Sequence, residues 1–158
     1  MTEENQIKER GPGPFMMSIY IILFLIIAAY LFFGVFSPWY YGKSARVMAI
    51  KTMHAQTIKY IKSEHNKCKI GESKFMNNSQ DCPATATKAV KGAVASMTDK
   101  NPFDTSKNAV REFNDNKDDK DVGFISLSAS GSSVVIRSCI SKPCYDEKNR
   151  LQDSIEIQ

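Results

Sequence analysis

Acidic residues are missing from the whole stretch between Gly11 and Ser44, and from Phe15 to Phe36 no side chain of either charge occurs. Histidine is scarce, with two in 158 residues. There is no Gly-rich phosphate loop, no Ser/His/Asp ordering and no C-x2-C pair. These absences leave catalysis, nucleotide binding and a four-thiolate zinc site with little footing. No catalytic, cofactor-binding or metal-ligating residue is assigned. The formal charge of +4 comes from lysines scattered among acids, whereas phosphate binding asks for a basic patch. No internal repeat or low-complexity tract is present.

What is present begins with FMMSIYIILFLIIAAYLFFGVF, residues 15–36. It is apolar all the way round, with Ser18, Tyr20 and Tyr30 as its only polar side chains. A helix of this length matches the ~30 Å hydrocarbon core of a bilayer, so a membrane-crossing helix is expected over 14–40. Pro14 suits the first helical position. Ala28, Ala29 and Gly34 offer small surfaces where another helix can approach. Trp39, Tyr40 and Tyr41 would form an aromatic belt. Residues 1–13 read as a flexible tail or leader. Lys8 and Arg10 precede the span and Lys43, Arg46 and Lys51 follow it, a charge balance favouring a cytoplasmic C-terminal part; the cysteines argue the reverse and are given precedence.

From Lys43 to Glu64, Val47, Ile50, His54, Ile58 and Ile61 recur at three- and four-residue steps, with Met53 and Thr57 beside them. This is an amphipathic helix with one apolar stripe, expected to continue the membrane helix past a kink at Pro38. His54 on that stripe reads as a satisfied core histidine, and His65 as a partner for the helix dipole.

Beyond it, a polar loop is bracketed by Cys68 and Cys82, and Ala86, Ala89, Val90, Ala93, Val94 and Met97 mark a short second helix, weakened by Gly92. NPFDTSKN reads as a turn, followed by strands at 109–113, 122–128, 133–139 and 154–157, with a hairpin at Ser130-Gly131. NDNKDDKD at 114–121 reads as a solvated charged loop rather than a calcium site, lacking the Gly and distal Glu of such loops. Four cysteines allow three pairings. The sequential one, Cys68 with Cys82 and Cys139 with Cys144, suits the loops best, with a zinc ion on all four thiolates as the rival. Disulfides would put residues 41–158 on the oxidising side of a membrane.

S-P-W-Y-Y-G-K-S-A-R-V resembles the corresponding region of type IV pilins and pilin-like proteins, which have a Pro late in the apolar helix, a Tyr two residues on, and then an Ala-Arg pair. Pro38, Tyr40, Ala45 and Arg46 match. The terminal pair Cys139 and Cys144 sits where many pilins close a loop. The resemblance implies an α+β fold: a long N-terminal helix, half transmembrane and half amphipathic, packed on a small antiparallel sheet of three or four strands. It also implies a subunit of a pilus-like filament, anchored in the inner membrane with its domain periplasmic, then assembled with its own copies through the N-terminal helix. Motor, platform and peptidase would be separate assembly proteins. Lys8, Arg10 and Gly13 supply a leader, with Gly13 as the cleavage residue, although Pro14 follows it. The pilin Glu has no counterpart, whether Ser18 or Ile21 is aligned with it. That departure favours an alternative: a non-polymerising anchored module that binds a partner in the periplasm. A third reading is DNA capture by lysines on a filament surface.

Overall fold

The computed structural model describes residues 14–32, 37–113 and 115–157. The chain divides into two units, Met1–Lys43 and Ser44–Gln158. The first contains α1 (Pro14–Leu31) and the opening turns of α2 (Ser37–Lys69). Pro14 opens α1 and Pro38 stands in the first turn of α2, positions where a missing N–H costs no helical hydrogen bond. Residues 33–36, where the expected rod would run on toward its kink at Pro38, lie outside the described residues.

The expected membrane span is corrected: among the described residues no helix is long and apolar enough to cross a membrane. The 18 residues of α1 reach about 27 Å, short of the ~30 Å hydrocarbon core, and α2 carries lysines from Lys43 onward. The apolar run continues into 33–36, outside the described residues, as do Gly34 and the leader with Gly13.

In the second unit α2 buries Ile50, His54, Thr57, Ile61, Glu64 and His65, a stripe at the helical period. Lys67 and Lys69 in its last turn complement the helix dipole. The disulfide Cys68–Cys82 closes the following loop, which holds the short hairpin β1 (Lys74–Phe75) and β2 (Gln80–Asp81). Met76, Asn77 and Asn78 turn this hairpin with three consecutive positive φ angles of 51°, 52° and 63°. Asn tolerates that region and Met does not. Burial of Phe75 and Met76, and a hydrogen bond from Asn77 N–H to Glu64, hold the turn there.

Helix α3 (Ala86–Ser96) starts at Thr85, whose hydroxyl accepts from Lys88 N–H, and buries Ala86, Ala89, Val90, Gly92 and Ala93. Its small face allows close approach, and Gly92 is required by it. A Cβ there would lie 2.4 Å from Met76 Cβ and 2.5 Å from Met76 Cγ.

Residues expected to form a turn instead make a hairpin, β3 (Lys100–Asn101) with β4 (Asp104–Asn108). The main sheet has the order β5 (Val110–Glu112), β6 (Ile125–Ser130), β7 (Ser133–Cys139), β8 (Arg150–Glu156). β6, β7 and β8 are antiparallel, and Gly131, at φ 59°, turns the β6–β7 hairpin. β5, however, runs parallel to β6, so the sheet is mixed and not antiparallel throughout. Residues 113–124 supply the dozen-residue crossover that a parallel pair needs. One sheet face carries Ile125, Leu127, Val134, Ile136 and Ile155 into a core shared with Ile61 of α2 and the small residues of α3. The other carries a polar row across the strands: Arg111, Ser126, Arg137 and Gln152.

Because Met76 Cβ is fixed by its left-handed turn, Gly92→Ala overpacks the α3 contact at a cost of about 1–3 kcal/mol, outweighing the ~1 kcal/mol of helix propensity gained. Thermal unfolding of the full chain in mild detergent should show Tm lowered by a few degrees. A raised Tm would mean the hairpin yields freely.

Candidate functional site

Three features bear on function: the apolar helix α1, the bridge joining α2 to the sheet, and the polar sheet face. Every described α1 side chain from Phe15 to Leu31 is exposed, including Phe15 at 77%, Phe24 at 71% and Tyr30 at 76%. Soluble monomers rarely expose contiguous apolar patches beyond a few hundred Å². An apolar helix without a polar side has to be covered all round.

The bridge is made by His54, 3% exposed. Its Nδ1 lies 2.6 Å from Ser138 Oγ on β7, and its Nε2 lies 2.9 Å from Asp153 Oδ2 on β8. The carboxylate can only accept, so Nε2 carries a proton and donates to it. A serine, a histidine and an aspartate far apart in the chain are thus joined in one line, as in a nucleophilic triad. The environments are reversed. Ser138 is fully buried, whereas the Asp153 side chain is 54% exposed. A sealed hydroxyl reaches no substrate, and the arrangement works as a clamp between helix and sheet. Linear order concealed this set, since its members fall 84 and 99 residues from His54. A lone polar residue facing out of an apolar stripe was the available signal.

The expected charged loop at 114–121 is largely structural. Asn116 is buried at 1%. Its Oδ1 accepts from Arg111 Nη2 and Ser126 Oγ, and its Nδ2 donates to the carbonyls of Phe124 and Arg137. Asp121 pairs with Arg111, whose guanidinium lies 4.6 Å from the Phe113 ring centroid and 4.1 Å from that of Phe124. Asp119 accepts from Cys144 N–H at 2.7 Å, tying this loop to the Cys139–Cys144 loop. The acids there are committed to protein donors, and no group of three potential metal ligands occurs among the described residues.

All four cysteines form disulfides, Cys68–Cys82 and Cys139–Cys144, leaving no thiolate for the zinc alternative. Pro38 and Tyr40 fall in the first turns of α2. Ala45 is exposed, and Arg46 lies over the Phe103 ring at 5.8 Å from its centroid. His65 is buried with no hydrogen-bond partner at either ring nitrogen, and burial, helped by the nearby Lys69 charge, lowers its pKa. The dipole partner expected at the end of α2 is thus a desolvated ring. At the surface, hydrogen bonds from Lys107 and Ser106 hold the Asp104 carboxyl down at about 2. Comparison with protein-family models, curated proteins and solved structures gives no significant match to this chain.

Removing the His54 ring strands the buried Ser138 hydroxyl, so His54→Ala should cost at least 1–3 kcal/mol for the lost polar partner alone. Asp153→Ala, at a half-exposed carboxylate, should stay within about 1 kcal/mol. Denaturant midpoints check this, and equal losses would refute the clamp. For His65, the unfolded chain keeps the ordinary value of 6.5 while the folded value is lower. Below that pH the unfolded state binds more protons, so stability falls on acidification. Between about pH 7.5 and about pH 5, His65→Gln should lose less Tm than the parent chain.

Proposed function

We propose that this protein is a structural subunit that assembles with its own copies through α1 into a thin pilus-like filament. The observation that carries the reading is the largely apolar, exposed surface of α1 on all its sides. In an assembly, neighbouring α1 helices supply the apolar surroundings, and Ala28 and Ala29 give close-approach points. Before assembly, lipid meets the same requirement and holds the subunit at the membrane. The two disulfides support an oxidising location for residues 44–158, outside the cytoplasm. The resemblance at Pro38, Tyr40, Ala45 and Arg46 agrees with this role, and assembly proteins would then be its partners.

A second reading, a non-polymerising partner-binding module, is favoured by the absence of any acid between Gly11 and Ser44. Without a carboxylate in α1, a neighbour's terminal amine has no counter-ion. Shearing of cells separates the two. The filament predicts a released polymer that disassembles when Ile26→Lys places a charge in α1, since an unpaired buried charge costs several kcal/mol. Complete retention of monomer in the cell fraction, with residues 1–13 still attached on N-terminal sequencing, would overturn it.

A further inference from the structure

The modest charge of the chain is unevenly placed. Between Ser44 and Lys69, six cationic side chains stand against one acid, Glu64, so this part of α2 carries +5 while the whole chain carries +4. Glu64 is buried, and its carboxylate is taken up by Lys67 and by Asn77 N–H. Arg46 lies over the Phe103 ring. The other four cations are Lys51, Lys59, Lys62 and Lys69, all of them exposed. At about 100° per residue they fall within an arc of about 80°, outside the buried stripe of Ile50, His54, Thr57 and Ile61, and form a row about 27 Å long.

None of the four makes an ion pair among the described residues. The exposed residues between them are Thr52, Ala55, Gln56, Ser63 and Asn66, with no acid, arginine or aromatic ring. Lys59 and Lys62 are three residues apart, a like-charge pair that disfavours the helix. A polyanion lying along the row relieves that repulsion, and the row is long enough to engage several of its charges at once.

The side chains present choose among polyanions. Nucleic-acid sites use arginine forks on phosphate and aromatic rings that stack on bases, and this face has neither. A lysine ammonium is a compact point charge with three rotatable donors, suited to carboxylates spaced along a flexible polymer. We infer that the outer face of α2 is a docking surface for an acidic polysaccharide, a chain of sugar carboxylates held by Lys51, Lys59, Lys62 and Lys69. The surface lies within residues 44–158 and does not rest on assembly through α1.

The test is calorimetric titration of the full chain in non-ionic detergent with an oligouronate longer than the row. Neutral dextran and duplex DNA of equal charge serve as comparators. The oligouronate should bind saturably, more weakly as salt rises, and dextran should not bind. Replacing all four lysines by Gln, which keeps helix propensity, should weaken binding at least about tenfold. Replacing them by Arg should restore it. Lys100, Lys107, Lys117 and Lys120, also exposed, form the charge-matched control: their replacement by Gln should change affinity by less than about twofold. No saturable binding, binding of dextran, tighter binding of the duplex, or equal losses in the two Gln variants would overturn the inference.

Discussion

The placement of α2 on the sheet of residues 44–158 depends on one interaction: the buried His54 is partnered at both ring nitrogens. Its partners lie on two adjacent strands. That is possible only in the observed register, where Ile136 stands opposite Asp153 and Ser138 opposite Leu151. A one-residue slip of β8 would turn Asp153 to the far face of the sheet. Burial of Ile61 in the core shared with the sheet contributes about 1.5–3 kcal/mol. That term is indifferent to register, and the clamp is not. Apolar packing therefore gives the helix its stability on the sheet, and the His54 hydrogen bonds give it its position.

The opposite sheet face is organised by a second polar centre. Asn116 uses its amide on four partners drawn from β5, β6, β7 and the residue before β6. It fastens the crossover that makes β5 parallel to β6. Arg111 pairs with Asp121 and lies against the Phe113 and Phe124 rings.

The small folded unit is braced at both ends of its chain path. Cys68–Cys82 closes the loop that leaves α2, and Glu64 secures the same loop through Asn77 N–H while pairing with Lys67 at 2.7 Å. Cys139–Cys144 closes the loop between β7 and β8, which Asp119 joins to the crossover. Such staples offset the limited core of a domain of this size. α1 contains no cysteine, and its exposed apolar surface is what the proposed assembly rests on.

Properties set by neighbours in sequence were legible before any coordinates. The stripe of α2, the small face of α3, strand β7 with its Gly131 turn, and the sequential cystines all follow from periodicity, side-chain chemistry or loop closure over a few residues. The β3–β4 hairpin was not legible, because its residues carry the composition of a turn. Nor were the parallel pairing of β5, the burial of Asn116 and Asp121 in a segment of charged composition, or the meeting of His54 with Ser138 and Asp153. Those outcomes are selected by which polar groups can be satisfied together once the chain is compact. That condition joins residues 84 and 99 positions apart and has no local trace in the sequence.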